Sequence, residues 1–503
     1  MGSRVQKRPG FTHGTASKKC PVQQTPVFCT GRGYMDIRYG RPLFAVRFRF
    51  ADAFRSGDGL FPYRKKPIAC HPACLPCLPR PHDGRLRIEY NLYICSVVLL
   101  YKNLIQMKKL LNEICAKYTV PQEVKALGIY PYYRPISSGQ DPVVTMADGK
   151  KVLMFGSNSY LGLSDDPRLK EAAIAAIRKY GTSCSGSRFL NGTLDIHEEL
   201  EAKLAKFVGK DEAVTYSTGF QVNLGVVSCL GMKGGYIFLD ALDHACIIDG
   251  SRLSFSEVRK FPHNDMAVLE KKLALTPPDA PKLIVVDGVY SMEGDIAPLP
   301  QIVELCKKYN ASVMVDDAHG LGVIGENGSG TASHYGLTAD TDLIMGTFSK
   351  SFGSLGGFIA GDKEVLNYLK HNSRSLIFSA SMTPAAVAAA SAALDIMINE
   401  PERREHLWKV TRHAQQAFKD NGFDTGHTQS PIIPLFVRDT IKAMKIVRLA
   451  YEQGVFITPV IAPAVPESDV LIRFALMATH TVDQVDEAVE KLTAIFKELG
   501  VIE

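Results

Sequence analysis

No run of apolar residues in this chain of 503 reaches the roughly 18 that a membrane-crossing helix needs. The best candidate, Ile94 to Leu100, is too short and is followed by Lys102. The first residues do not read as a secretory leader either: no basic start leads into an apolar core and a small-residue cleavage site. Nor is there a disulfide framework. Of 11 cysteines, Cys20, Cys29, Cys70, Cys74, Cys77 and Cys95 fall in the first 106 residues and the other five are scattered, which reads as a reduced, cytoplasmic main body. That same stretch is poor in acid. It holds 18 Lys+Arg against 5 Asp+Glu, a net of +13, whereas the remaining 397 residues carry a net of −7. The overall +6 describes neither part. The basic stretch brings no nucleic-acid-binding signature with it.

Residues 1–106 are rich in Arg, Pro, Cys and aromatics and show little helical or strand periodicity. They read as a disordered upstream extension or a wrongly assigned start. Met107-Lys108-Lys109-Leu110-Leu111-Asn112-Glu113-Ile114 then opens an amphipathic helix. Within the extension, Cys70-His71-Pro72-Ala73-Cys74-Leu75-Pro76-Cys77 has a spacing that can hold an iron–sulfur cluster. The segment is Pro-rich, with no strand before it and no barrel pattern after it, so no metal site is expected there.

From residue 107 onward the pattern changes. Val152-Leu153-Met154-Phe155 is a short strand, and helices are expected over about 167–180 and 195–208. Short β-branched runs then recur at 213–216, 236–239, 283–286, 312–315 and 343–345. Each ends in polar or glycine residues, the mark of a buried, mostly parallel sheet. Ligands bind such sheets at the carboxyl ends of their strands, which is where these polar residues lie. A helix-rich stretch at 383–422, strands at 432–437, 455–457 and 470–474, and a helix at 482–498 read as a smaller α+β domain.

Four strand ends carry chemistry. Ser217-Thr218-Gly219-Phe220 begins a helix after a strand and could seat a phosphate on free backbone N–H groups. Asp240-Ala241-Leu242-Asp243-His244 puts an imidazole past a strand end, where it could lie flat on a planar ring or simply cap its own backbone. Val315-Asp316-Asp317-Ala318-His319 offers a carboxylate that could pair with a cationic ring nitrogen, as the pyridinium of pyridoxal phosphate requires. His319, and Ser291 in Asp287-Gly288-Val289-Tyr290-Ser291, could touch that ring's phenolic oxygen. Gly346-Thr347-Phe348-Ser349-Lys350-Ser351-Phe352-Gly353 follows an apolar run and sets one lysine among hydroxyls and glycines. A Schiff-base lysine needs such a place, where its amine can be neutral. The alternative is a surface lysine in a polar turn. Taken in order, a phosphate cup, a stacking histidine, a ring-nitrogen acid and a lysine make one pyridoxal phosphate site.

With Gly186-Ser187-Arg188-Phe189-Leu190-Asn191-Gly192-Thr193 and Ile472-Arg473-Phe474-Ala475-Leu476-Met477-Ala478-Thr479-His480 added, residues 107–503 resemble the α-oxoamine synthases, a family of fold-type I pyridoxal phosphate enzymes. The resemblance implies an α/β fold: a large domain with a mostly parallel sheet (156–395) and a smaller C-terminal α+β domain (396–503), after an entry segment (107–155). It implies that Lys350 bonds to the cofactor and moves protons at the α-carbon. Asp316 would pair with the ring nitrogen, His319 and Ser291 would contact the phenolic side, and His244 would stack on the ring. Gly219, Phe220, Thr347 and Ser349 would hold the phosphate, with Ser379 and Ser381 reaching the phosphate of a partner subunit in a homodimer. Arg473 would hold the amino-acid carboxylate, with Asn158 on the substrate side. The implied reaction is a decarboxylating condensation of an amino acid with an acyl-CoA. The motifs match best the members that join serine to a long-chain acyl-CoA; members using glycine and a short acyl-CoA are the alternative. A non-catalytic partner subunit would lack the lysine, and an ordinary aminotransferase would not match around Arg188, His244 and Arg473. With no membrane span, at most a peripheral membrane association is expected.

Overall fold

The computed structural model describes residues 110–503 continuously and, before them, residues 27–28, 34–38, 45–49, 95–100 and 102. The chain divides into two units, Met1–Met107 and Lys108–Glu503. In the first unit β1 (Val27–Phe28), β2 (Tyr34–Arg38) and β3 (Ala45–Arg49) pair as an antiparallel sheet. Most of the expected extension, its Cys70–Cys77 cluster included, lies outside the described residues.

In the second unit, residues 110–115 are helical and the helix Val120–Ala126 follows. β4 (Val143–Thr145) and β5 (Lys151–Met154) pair antiparallel, and the expected helices stand at Pro167–Tyr180 and Asp195–Val208. Seven strands then build the central sheet: β6 (Glu212–Tyr216), β7 (Tyr236–Asp240), β8 (Glu257–Phe261), β9 (Lys282–Asp287), β10 (Ser312–Asp316), β11 (Leu343–Thr347) and β12 (Gly357–Gly361). Their spatial order is β6-β12-β11-β10-β9-β7-β8. The pairs β8–β7, β7–β9, β9–β10 and β10–β11 are parallel, while β12 runs antiparallel to both its neighbours.

Burial explains why these runs form strands. Val313, Val315, Ile284, Val286 and Phe238 pack into one apolar core, and their alternates Met314, Leu283, Val285, Ile237 and Leu239 pack into another. Period-2 alternation with both faces apolar requires cover on both sides, and helices supply it. Two strands of this sheet escape the sequence pattern. β8, Glu-Val-Arg-Lys-Phe, is an edge strand, mostly exposed and polar. β12 begins and ends with glycine, which carries no strand signal.

The C-terminal part holds helices Pro384–Asn399 and Pro401–Asp420, then β13 (Ile432–Phe436), β14 (Val455–Phe456), β15 (Thr458–Val460), β16 (Leu471–Ala475) and the helix Val482–Glu498. β13, β16 and β15 make an antiparallel sheet, and β14 pairs parallel with β5. Among the described residues no helix is long and apolar enough to cross a membrane.

Candidate active site

The carboxyl ends of β7, β9, β10 and β11 converge on one group of polar side chains. Asp316 ends β10 and is almost fully buried. One of its carboxylate oxygens accepts from Asn223 Nδ2 at 2.5 Å, the other from the Ala318 backbone N–H at 3.0 Å. Asn223 lies in the helix Gly219–Leu230, so that helix fixes the acid's orientation. Lys350 follows β11. Burial pushes its amine down to about 8, against the pull of Asp316 and Asp287. Near neutral pH a useful fraction of the amine is therefore unprotonated.

His319 is buried, and its Nδ1 stands 2.6 Å from the Tyr160 hydroxyl. That hydroxyl accepts from Arg473 Nη2 at 3.0 Å. A guanidinium only donates, so the Tyr160 oxygen accepts there and links Arg473 to His319 Nδ1. Burial, aided by the positive charges of Lys350 and Arg473, holds His319 well below the usual imidazole range, which keeps it neutral. Arg473 Nε donates to the Ser291 carbonyl at 2.7 Å. The Ser291 carbonyl thus fixes the Arg473 guanidinium. Asn158 Oδ1 lies 3.5 Å from the Tyr160 hydroxyl.

His244 is the N-cap of the helix Ala245–Arg252, and its Nδ1 accepts the Cys246 N–H at 3.2 Å. As a residue His244 is exposed. Partial burial still pushes its pKa down, Asp316 opposing. Just behind, Asp243 Oδ1 takes the Asp287 N–H at 3.1 Å and its Oδ2 takes the Asp240 N–H at 2.8 Å. Burial, reinforced by neighbouring carboxylates, holds Asp243 and Asp287 well above the usual carboxylate range.

The candidate phosphate seat comes from two elements. Thr218 caps the helix Gly219–Leu230 by accepting the Gln221 N–H at 3.2 Å, which leaves the first helical N–H groups, those of Gly219 and Phe220, without intrahelical partners. Thr347 Oγ1 and Ser349 Oγ, 3.0 Å apart, come from the β11 end. A Cβ on residue 219 would stand 2.6 Å from Thr347 Oγ1, so only glycine lets the helix end close on that hydroxyl. Ser379 Oγ accepts from Gln221 Nε2 at 3.1 Å, and the Ser217 hydroxyl donates to the Ala380 carbonyl. Ser381 N–H donates to the Gly186 carbonyl at 2.9 Å. Residues 379 and 380 thus pack beside the start of the helix Gly219–Leu230, while Ser381 packs against Gly186.

Pyridoxal phosphate demands a neutralisable lysine, a buried acid, a flat aromatic face and an anion seat, and the residues present fit it. The aminotransferase class I and II model matches residues 150–492. The chain belongs to that family. Within it the chain is an α-oxoamine synthase. It is 59% identical to a serine palmitoyltransferase of Sphingobacterium spiritivorum over 77% of this chain and 97% of that protein. An 8-amino-7-oxononanoate synthase of Lysinibacillus sphaericus is 43% identical over 76% of this chain and 98% of its own length. A solved serine palmitoyltransferase variant from S. paucimobilis, with bound pyridoxal phosphate–myriocin, superposes with a TM-score of 0.76 at 34% identity, covering 78% of this chain and all of that one.

Tyr160, Asn223, Asp243 and Asp287 join this group of side chains although the sequence did not single them out. Tyr160 carried a findable signal, a tyrosine inside the turn Gly156–Leu163 beside Asn158. Asn223 carried none, since a buried helical asparagine announces itself only through its partner.

Proposed function

We infer that this chain catalyses the pyridoxal phosphate-dependent, decarboxylating condensation of L-serine with palmitoyl-CoA, giving 3-ketodihydrosphingosine, coenzyme A and carbon dioxide, the first step of sphingolipid synthesis. The observation that carries this is the 59% identity to a serine palmitoyltransferase along nearly its whole length. Support comes from the assembled set Lys350, Asp316, His319, His244 and Arg473.

The cofactor supplies an electron sink for the pair of electrons left when the amino acid loses its α-proton. Lys350 would hold the cofactor covalently and, once free of it, would serve as the base and acid at the α-carbon. Asp316 keeps the ring nitrogen protonated. His319, kept neutral by its burial, would contact the phenolic side of the ring. His244 would stack on the ring. Gly219, Phe220, Thr347 and Ser349 hold the phosphate. Arg473 binds the serine carboxylate with its planar fork, and Asn158 lines the same side.

The reading extends to a homodimer in which Ser379 and Ser381 serve the partner's phosphate; exposed Phe378 beside them, 73% accessible, supports a covered surface there. It also places the enzyme in the cytoplasm, with at most peripheral membrane contact; the free thiols of Cys115, Cys184, Cys229, Cys246 and Cys306 support a reducing compartment. The domain division at 106, 155 and 395 is part of the same proposal. The unit boundary after Met107 supports its first cut, and mass spectrometry of the natural N-terminus tests it.

The test of function is a product assay. Purified enzyme is offered serine with palmitoyl-CoA and, separately, glycine with acetyl-CoA. Mass spectrometry is expected to find the long-chain 3-keto amine from the first pair. A product from glycine and acetyl-CoA alone overturns the reading.

A further inference from the structure

One ionic cluster beside the site has no part in holding cofactor or substrate. His263 follows β8, with Nδ1 3.0 Å from Asp240 Oδ1 and Nε2 2.9 Å from Asp295 Oδ2. Ionised carboxylates only accept. Both ring nitrogens therefore donate, and the side chain is an imidazolium. Burial works against that charge, but Asp240 and Asp295 overcome it and push His263 up to about 10. Tyr290 stands edge-on to the ring, centroids 4.4 Å apart at 85°. Glu293, from the same loop as Asp295, is the other titratable neighbour, and Asp243 lies behind Asp240.

Each anchor of His263 leads to an active-site loop. The Asp240 side chain, 1% exposed, also takes the N–H groups of Leu242 at 2.9 Å and Asn264 at 2.8 Å. It thereby shapes the turn that delivers His244. Asp295 gives its backbone carbonyl to the Tyr290 N–H at 3.0 Å, closing the loop that presents the Ser291 carbonyl to Arg473. Asn264 Nδ2 adds a second hold on Asp295, at 2.8 Å.

A buried ion bridge is a poor way to gain stability. Desolvation offsets most of its Coulomb attraction, and an apolar replacement of similar volume often folds as well. Its advantage is directional: two fixed donors at opposite ends of a rigid ring set the distance between the loops that accept from them.

We propose that His263 is a positioning residue that ties the turn carrying His244 to the loop whose Ser291 carbonyl aims Arg473, and so sets the affinity of the site for the amino-acid carboxylate. The identity of that ligand as an amino acid rests on the function proposed above.

The test uses holoenzyme carrying His263→Gln and, separately, Asp295→Asn, which keeps shape and removes one charge. In both, KM for serine is expected to rise about tenfold or more, while kcat at saturating serine and KM for palmitoyl-CoA stay within about twofold of wild type. The dissociation constant from the serine-dependent change in cofactor absorbance rises by the same factor. His263→Gln combined with Asp295→Asn shows little more than either alone. Unchanged serine affinity in a folded Asp295→Asn variant overturns the proposal, even where His263→Gln does not fold. So does a loss of kcat with all KM values intact, which is the mark of a merely structural part. A wild type with no serine response overturns the functional reading itself, and the proposal with it.

Discussion

Asp316 and Lys350 leave neighbouring parallel strands, β10 and β11, whose register pairs Asp316 with Met345. Arg473 leaves β16 of a separate antiparallel sheet and reaches Tyr160, 313 positions away in the chain, through a single hydrogen bond of 3.0 Å. The first wall of the site is held by a continuous backbone ladder with apolar cores on both faces. Arg473 stands in a ladder of its own, but what joins it to the first wall is three bonds made by side chains: Arg473 to the Ser291 carbonyl, Arg473 to Tyr160, and Tyr160 to His319. A ladder distributes the loss of one contact. A chain of three side-chain bonds does not, so changes on the two walls should differ in kind. The strand-end wall should lose chemistry without losing substrate affinity, and the facing wall the reverse.

The largest effect is expected on the ladder side. Lys350→Ala removes the amine and leaves β11 untouched, since the strand ends at Thr347. Turnover should fall by ~10³-fold or more, the scale of losing a covalent and acid–base group together. The cofactor's lysine-linked absorbance should vanish, while the folded circular dichroism spectrum remains. Retained turnover would remove Lys350 from the mechanism.

The same contrast governs what could be read from the chain. Asp316, His319, His244 and Lys350 were legible because each sits just past a β-branched run, and a parallel sheet brings successive strand ends to one edge. Strand limits came out within a residue or two for β6, β7, β9, β10 and β11. The polar edge strand β8 and the glycine-ended β12 were not legible, because neither alternates. β15, with Pro459 at its centre, was missed for a related reason: proline argues against a ladder. Arg473 was nameable only by resemblance. The Tyr160 and Ser291 contacts depend on loops meeting across the fold, and no periodicity encodes a meeting.

On the facing wall, Arg473→Lys keeps the charge but loses the fork that reaches both Ser291 and Tyr160. KM for serine should rise about 10- to 100-fold, the worth of one or two hydrogen bonds to a charged group, with a smaller fall in kcat. Equal losses in KM for palmitoyl-CoA would show that Arg473 serves the whole site and would break the contrast. Tyr160→Phe deletes one oxygen and leaves two buried groups, Arg473 Nη2 and His319 Nδ1, short of a partner. The cost should be about 1–3 kcal/mol of stability, read as a lowered thermal midpoint, with a several-fold rise in serine KM. An unchanged midpoint would mean that water or a shifted side chain replaces the hydroxyl.

The last test sharpens the ladder side by its pH dependence. Lys350 has an amine near 8 in the folded protein against about 10.5 unfolded. The unfolded chain therefore holds the extra proton between those values, and stability of the cofactor-free protein rises as pH climbs from about 8 to 10.5. Below 8 both states are protonated, and the buried charge is a standing penalty on the fold. Lys350→Met removes that penalty. Cofactor-free Lys350→Met should thus be more stable than wild type below pH 8, and the difference should close as pH approaches 10.5. Denaturant midpoints at several pH values measure it. A difference independent of pH would mean that Lys350 is better hydrated than its place behind β11 implies, and the amine would then need the cofactor itself to become reactive.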